Sequence, residues 1–307
     1  MKKQRVTEKG STWMYYPAQR QTDRAMIVAI GDSDHDLMVR GAAKYFTQLD
    51  CDVLAICPTQ FEKKYTGYHN FPLEHIECAI KWLEENGHQK IGIAGGSTTG
   101  MLALIAASYI SSLSLVLAYS PSDFVMQGFY RGKKNGHIPE WPATGQSTVS
   151  YQGKPIPYSP FNLDDEAYYN VTFGKSTKEA GEINSLLLFE HVEKQPEFER
   201  GFIQIERIKA VVHAFGADDD TLWETTKYIK RAKERLKGKE TTCKFYTHCY
   251  ERGTHFVFPQ GLLEAMLPFD VNFIIGKFFK VAKAFPKECE KVRREIDRIT
   301  TEAIKNW

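Results

Sequence analysis

The sequence predicts an α/β fold in which a mainly parallel central sheet is flanked by helices. Short apolar runs of strand length alternate with longer runs in which apolar residues recur at helical spacing, and this alternation is typical of βαβ units. The chain has 307 residues, which is enough for one large domain that carries an insertion. We therefore expect a single domain over residues 1–307.

The predicted elements follow one another without interruption as far as residue 119. In order they are strand 26–30, helix 37–49, strand 52–57, helix 73–85, strand 90–94, a helix after Ser97 and strand 113–119. Beyond residue 201 they are strand 208–215, helix 222–236, strand 242–248, helix 271–284 and, after Pro286, helix 288–305.

The alternation stops between residues 120 and 201, where the sequence is rich in Gly, Pro, Tyr and Trp. A connection of this length within a compact domain is usually a functional lid or an inserted subdomain, so we predict a lid insertion over 120–201. Its aromatic side chains fit an apolar acyl chain, and they fit the packing of the lid itself equally well. Trp141 and Tyr158 are the candidate substrate contacts in this segment.

Ser97 lies between a predicted strand and a predicted helix, in Lys90-Ile-Gly-Ile-Ala-Gly-Gly-Ser97-Thr-Thr-Gly100. A sharp turn of this kind displays the nucleophile of α/β-hydrolases, and glycines permit its strain. The amide of Thr98, at the positive end of the helix, can stabilise an oxyanion. The usual pattern is G-x-S-x-G, and Thr99 stands in place of the second glycine. The alternative is an ordinary glycine-rich turn in which the serine caps the helix.

Two later strand ends carry an acid and a histidine in the chain order that α/β-hydrolases use. Strand 208–215 runs into three adjacent aspartates that include Asp219 and Asp220, and the next strand runs into a loop that holds His255. Such aspartates and loop histidines, taken alone, are more often solvated turns or helix caps. Because both lie where open α/β sheets build their sites, we predict a triad of Ser97, Asp219 and His255. Asp219 is preferred over Asp220 since it is the fourth residue of a G-x-x-D turn.

The loop after the first predicted strand is expected to supply a second oxyanion donor. It reads Gly-Asp-Ser-Asp-His-Asp over 31–36 and opens a helix. We assign the backbone donor to Asp32 and Ser33 and a substrate contact to His35, while helix capping is an alternative that is compatible with both. A metal site in this loop is disfavoured because no second ligand cluster is evident, so we expect neither a metal nor a cofactor.

Composition excludes several classes of partner. The net charge is +2, with 40 basic residues against 38 acidic ones, which gives no electrostatic reason to expect a nucleic acid. The apolar runs are shorter than the roughly 20 residues that span a bilayer, so no membrane span is expected. The N-terminus lacks the apolar segment of a signal peptide, and the six cysteines form no C-x-x-C pair. These features favour reduced cysteines and a cytoplasmic location.

Several phrases of the sequence resemble the catalytic C-terminal domain of the acyl-CoA thioester hydrolase / bile acid-CoA:amino acid N-acyltransferase family. Besides the turn at Ser97 they are Val28-Ala-Ile-Gly-Asp-Ser-Asp34, Ala118-Tyr-Ser-Pro-Ser122, Tyr151-Gln-Gly-Lys-Pro-Ile-Pro-Tyr158, Gly216-Ala-Asp-Asp-Asp-Thr-Leu-Trp223 and Gly253-Thr-His255. The resemblance implies an α/β-hydrolase fold and places the family's triad on Ser97, Asp219 and His255.

Two departures from the family pattern refine this expectation. Animal members carry an N-terminal immunoglobulin-like domain, which the stretch 1–24 is too short to provide. The amino-acid-conjugating members use a cysteine nucleophile where this chain has Ser97, so the resemblance favours hydrolysis over acyl transfer.

The sequence thus predicts an enzyme, a hydrolase that acts on ester or thioester bonds through a Ser-His-Asp triad and an acyl-enzyme. Its expected partner is a small-molecule acyl ester or acyl-CoA substrate, and an acyl-CoA thioesterase is the favoured interpretation. A carboxylesterase or dienelactone-hydrolase-like enzyme that acts on small esters is one alternative. A non-catalytic binding protein with the α/β-hydrolase fold is the other.

Overall fold

The computed structural model describes residues 3–30, 37–59, 67–131, 140–172, 174–267 and 269–307. In chain order the strands are β1 (Gln4–Glu8), β2 (Ser11–Tyr16), β3 (Arg24–Ala29), β4 (Asp52–Ile56), β5 (Gly67–Tyr68), β6 (Phe71–Pro72), β7 (Lys90–Gly96), β8 (Leu115–Tyr119), β9 (Gln127–Arg131), β10 (Glu140–Ser147), β11 (Val149–Tyr151), β12 (Lys154–Pro155), β13 (Val211–Ala217) and β14 (Lys244–Tyr250). The helices are α1 (Leu37–Thr47), α2 (Glu74–Glu85), α3 (Thr98–Tyr109), α4 (Asp165–Thr172), α5 (Lys175–Ala180), α6 (Leu186–Glu193), α7 (Thr225–Glu234), α8 (Gln260–Met266), α9 (Val271–Phe278), α10 (Lys280–Ala284) and α11 (Pro286–Lys305).

Eight strands form the central sheet in the order β1-β2-β4-β3-β7-β8-β13-β14. The six strands from β4 to β14 are parallel, and β1 and β2 add an antiparallel edge. Successive residues of β3 enter two different cores, since Ile27 packs in one cluster and Met26 and Val28 in the other. The sheet is therefore covered on both faces, as expected of parallel strands joined by helices. The carboxyl ends of β7, β13 and β14 meet at one edge.

The hairpin of β1 and β2 was not among the predicted elements. Its turn is Lys9-Gly10, where both residues have positive φ, 48° and 83°. This conformation is the one that two-residue hairpin loops require, and glycine at the second position is its sequence signal. Trp13 and Tyr15 of β2 are buried, which anchors the hairpin to the sheet.

The other predicted elements are present, with shifted ends. The strand predicted at 208–215 is β13, and it begins three residues later because Ile205–Arg207 forms a 3₁₀ turn first. The helix predicted at 271–284 is divided, since Phe279 is extended with φ −130° and ψ 126° and separates α9 from α10. Pro286 begins α11, a position at which its missing N–H costs no helical hydrogen bond.

The segment 120–201 leaves the central sheet after β8 and returns to it at β13. It contributes to two small sheets, β10-β9-β5 and β12-β11-β6, and it contains α4, α5 and α6. The start of this segment is bound to α7, because the buried carboxylate of Asp123 accepts two hydrogen bonds from Arg231, at 2.6 and 2.9 Å. Among the described residues, no helix is long and apolar enough to cross a bilayer.

Candidate active site

Ser97 lies in a strained turn between the end of β7 and the start of α3. Its backbone has φ 60° and ψ −128°, a conformation that L-residues rarely adopt, and its N–H donates to the carbonyl of Tyr119 on β8 at 2.8 Å. Strained residues of this kind persist where the surrounding structure holds them, and they are frequent at active sites. The turn brings Ser97 to the wall of a cavity of about 360 Å³.

The glycines around Ser97 permit the close approach of strand and helix. A Cβ atom on Gly95 would lie 2.1 Å from the carbonyl oxygen of Thr99, and one on Gly100 would lie 2.7 Å from the carbonyl oxygen of Tyr119. Thr99, which stands in place of the second glycine of the usual pattern, stabilises the turn through its side chain. Its Oγ1 donates to the carbonyl of Gly96 at 2.8 Å and accepts from the N–H of the same residue at 3.0 Å.

His255 contacts a carboxylate, and that carboxylate is Asp220. Nδ1 of His255 lies 2.8 Å from Oδ2 of Asp220, whose side chain is fully buried, and Oδ1 of Asp220 accepts from the N–H of Leu222 at 2.9 Å. The expected contact between His255 and Asp219 was wrong. The geometry therefore favours Asp220 over Asp219, because the carboxylate of Asp219 accepts from the backbone N–H groups of Gly253 and Thr254 instead.

Asp219 holds the loop that carries the histidine. Its Oδ1 accepts hydrogen bonds from the N–H groups of Gly253, at 3.0 Å, and of Thr254, at 2.8 Å. Thr254 has a positive φ of 56°, so the loop needs such external support. Burial raises the pKa of Asp219, and the two backbone donors oppose that rise. Asp219 is thus a positioning residue for the loop.

Trp223 and Ser120 hold the ring and the backbone of His255, respectively. The indole of Trp223 meets it edge-on, with ring centroids 4.7 Å apart, and donates from Nε1 to the carbonyl of Ser120 at 3.2 Å. The hydroxyl of Ser120 in turn donates to the carbonyl of His255 at 2.6 Å. These contacts tie the histidine loop to the residue that follows β8.

The second ring nitrogen of His255 is buried and accepts no hydrogen bond from any described residue. With Nδ1 against a carboxylate, the proton of a neutral imidazole resides on Nδ1, and Nε2 keeps its lone pair. His255 lines the same cavity as Ser97. An unpartnered basic nitrogen on a residue that lines the same cavity as a strained serine is available to act as a general base toward it.

The cavity at Ser97 is mostly apolar. Besides the turn at 96–99 and His255, it is lined by Ile30, Met38, Tyr68, Arg131, Ile183, Leu222, Phe256, Phe258, Leu263, Met266 and Phe279. Sequence reasoning did not select most of these residues because they come from segments distant in the chain. Phe256 had a usable signal, since it follows His255 directly.

The two predicted substrate contacts of the segment 120–201 do not line this cavity. Trp141 is buried and stacks on Tyr130, with ring centroids 5.7 Å apart, and Tyr158 packs against the hydrophobic core. Trp141 thus serves the packing of the segment itself, and Tyr158 packs the segment against the core. Of the described residues of the segment, Arg131 and Ile183 line the cavity.

The predicted oxyanion donors are described in part. The amide of Thr98 is the first of α3 and so belongs to the N–H groups that have no acceptor within their own helix, and Thr98 lines the cavity. Asp32, Ser33 and His35 lie outside the described residues. Ile30, just before them, lines the cavity. No group of three or more metal-ligating side chains occurs within the described ranges.

Comparison with known proteins assigns the chain to a family. The family described as "BAAT / Acyl-CoA thioester hydrolase C terminal" matches residues 71–260. The chain belongs to this family. The match covers Ser97, Asp220 and His255. It also confirms the predicted enzyme class, a hydrolase that acts on ester or thioester bonds.

Solved structures show the same fold. An esterase of Pyrococcus furiosus is similar with a TM-score of 0.51 and 15% identity, over 99% of this chain and 91% of that one. An esterase of Pyrobaculum calidifontis is similar with a TM-score of 0.51 and 15% identity, over 99% of this chain and 84% of that one. No curated protein sequence matches the chain. The predicted α/β-hydrolase fold is therefore confirmed.

Proposed function

We propose that this member of the family is a serine hydrolase in which Ser97 is the nucleophile, His255 the general base and Asp220 the orienting acid. The observation that carries the proposal is the state of the His255 ring. Its Nδ1 is bound to a fully buried carboxylate, and its Nε2 is unpartnered in the cavity that Ser97 lines. That state prepares the imidazole to accept one proton at one nitrogen.

The chemical steps follow from these positions. Nε2 of His255 takes the hydroxyl proton of Ser97 as Oγ attacks the acyl carbon, and the amide of Thr98 donates to the oxyanion that forms. Collapse of this intermediate breaks the bond to the leaving group, which receives the proton from Nε2. A water molecule, deprotonated by the same nitrogen, then attacks the acyl-enzyme, and Ser97 departs with the proton. Asp220 stabilises the imidazolium in both the acylation and the deacylation step.

The proposed substrate is an acyl thioester, with acyl-CoA as the favoured form. A thiolate leaves readily because the pKa of a thiol is near 8.5, so weak protonation suffices. The apolar lining of the cavity suits an acyl chain. The volume of about 360 Å³ lies near the lower end of the range for ligand sites and favours a second candidate, a carboxylesterase of small oxygen esters.

We further propose that residues 120–201 act as a lid over the site, because Arg131 and Ile183 of this segment line the cavity. The predicted cytoplasmic location stays a prediction.

A matched substrate panel tests the function. Purified protein would be assayed on acyl-CoA thioesters and p-nitrophenyl esters of equal chain length, with Ser97→Ala as the control. We expect hydrolysis that the control lacks, with higher kcat/KM on the thioesters. Higher kcat/KM on short oxygen esters would favour the carboxylesterase, and equal rates in Ser97→Ala would overturn the proposed nucleophile.

A further inference from the structure

A short segment near the C-terminus concentrates exposed aromatic side chains. Among the described residues, nine large hydrophobic side chains are exposed, and four of them lie in 269–287. They are Phe269 (71% exposed), Phe273 (62%), Phe278 (41%) and Phe285 (36%). This segment, which comprises α9, α10 and their flanks, is called the aromatic-lysine surface below.

The same segment carries a surplus of positive charge. Four exposed lysines, at 277, 280, 283 and 287, stand against a single acid, Asp270, so the net charge is +3. Asp270 caps α9, because its Oδ1 accepts from the N–H of Phe273 at 2.7 Å. Within the described part of the chain, none of the four lysines lies within 4.0 Å of a carboxylate oxygen. Their charges are therefore available to an external anion.

A groove of about 580 Å³ runs through this surface and adjoins the active-site cavity. Phe273, Phe278, Lys277, Lys280 and Lys283 are among the residues that line it. Among the described residues that line it, Glu182 alone carries a carboxylate, which accepts from the backbone N–H of Lys280 at 2.7 Å.

The wall between the groove and the cavity is thin. Phe279 lines both, and Ile183, which lines the cavity, donates from its N–H to the carbonyl of Phe278 at 3.1 Å. A ligand held at the aromatic-lysine surface would therefore lie directly beside the cavity that contains Ser97.

We infer that the aromatic-lysine surface docks on an anionic lipid bilayer. Exposed phenylalanines on a short helical segment enter the boundary between headgroups and acyl chains, and interspersed lysines are attracted to anionic headgroups. The charge of the segment complements such a membrane, whereas the protein as a whole has a net charge of only +2. Docking in this orientation would bring the cavity that Ser97 lines, which shares Phe279 with the groove, near the layer in which acylated amphiphiles reside.

Vesicle binding tests the inference. Protein that carries Ser97→Ala would be sedimented with vesicles of phosphatidylcholine alone and with vesicles of equimolar phosphatidylcholine and phosphatidylserine. The Ser97→Ala background removes hydrolysis, so binding is measured apart from the proposed function. We expect binding to the anionic vesicles that exceeds binding to the neutral ones and falls as salt is raised.

Surface variants locate the contact. Lys277→Gln together with Lys280→Gln should lower the partition coefficient about 25-fold, since each lysine contributes about fivefold. Phe269→Ser together with Phe273→Ser should lower it by at least about tenfold. The matched control is Tyr246→Ser, whose side chain is 49% exposed on β14 and lines a different cavity. It should bind as the parent does.

Three results would overturn the inference. They are the absence of binding to anionic vesicles, unchanged binding in both double variants, and self-association that the phenylalanine variants abolish, which would make a second copy of the chain the occupant. Hydrolysis of a soluble short ester by the same double variants, in chains that retain Ser97, should equal that of the wild type. Loss of vesicle binding in the double variants with hydrolysis intact would thus support docking at this surface. A Ser97→Ala parent that does not bind anionic vesicles, beside a wild type that hydrolyses the soluble ester, would refute docking and leave the proposed function standing.

Discussion

Of the two adjacent aspartates, only Asp220 contacts the imidazole of His255, so replacing one carboxylate oxygen by an NH₂ group should affect catalysis far more at Asp220 than at Asp219. In Asp220→Asn, the amide oxygen would accept from the N–H of Leu222 as Oδ1 does now, which turns the NH₂ toward Nδ1 of His255. An NH₂ can only donate, so the neutral imidazole would move its proton to Nε2. Nε2 could then no longer accept the proton of Ser97.

The size of the effect follows from this loss of the correct tautomer. Replacement of the carboxylate by an amide in a Ser-His-Asp triad costs a factor of about ten thousand in kcat. Asp219→Asn should cost far less, because its Oδ1 remains able to accept from Gly253 and Thr254. Those two bonds lose only their charge assistance, which lowers the free energy of unfolding by about 1–2 kcal/mol and kcat by less than about tenfold.

The assay compares initial rates of p-nitrophenyl ester hydrolysis in the wild type and the two variants. Urea denaturation of each protein shows that the rates belong to folded chains. If Asp219→Asn lost more activity than Asp220→Asn while both stayed folded, the assignment of the acid and the tautomer argument would be refuted.

Three other perturbations have defined outcomes. Gly95→Ala places a Cβ 2.1 Å from the backbone oxygen of Thr99, so the turn at Ser97 must shift. The value of kcat/KM for ester hydrolysis should therefore fall at least about 100-fold, and a fall of less than about tenfold would contradict the close packing. Asp123→Asn removes the bidentate carboxylate of Arg231 and leaves it, among the described residues, only the longer ion pair with Glu193, at 3.5 Å. Urea denaturation should show a loss of about 2 kcal/mol in the free energy of unfolding, and a loss below about 1 kcal/mol would refute this role of Asp123. Burial and the neighbouring His248 lower the pKa of His213 to about 4, below the value of 6.5 in an unfolded chain. The wild type should therefore lose up to roughly 3 kcal/mol of stability as pH falls from 6.5 to 4, and His213→Gln should lack this loss in matched denaturation curves.

The fold was predictable because periodicity and chain order both report on it. The runs that became β3, β4, β7 and β8 are apolar almost throughout, as strands buried on both faces must be. The hairpin at Gly10 was not predicted because its strands are short and about half of its residues are exposed. The break between α9 and α10 at Phe279 was not predicted because the apolar helical pattern of the sequence continues through it. Tertiary packing imposes the break.

The sequence allowed us to predict which loops carry the candidate site residues, but not which side-chain atoms contact each other. Ser97 and His255, which line one cavity, were predicted as site residues because each follows a strand in the expected order. Asp219 and Asp220 are equivalent in sequence, and the path of the turn after β13, not residue type, decides which of them reaches the imidazole. The same limit applies to Trp141, since an aromatic side chain packs a lid and lines a pocket by identical chemistry.

Covalent labelling of Ser97 is the most direct test of the proposed mechanism. The wild type, Ser97→Ala and Asp220→Asn would each be treated with a fluorophosphonate probe, and the modified peptide would be identified by mass spectrometry. We predict one adduct on Ser97 in the wild type, none in Ser97→Ala and markedly slower labelling in Asp220→Asn. A folded wild type that stays unlabelled, or an adduct on another residue that persists in Ser97→Ala, would contradict the assignment of the nucleophile.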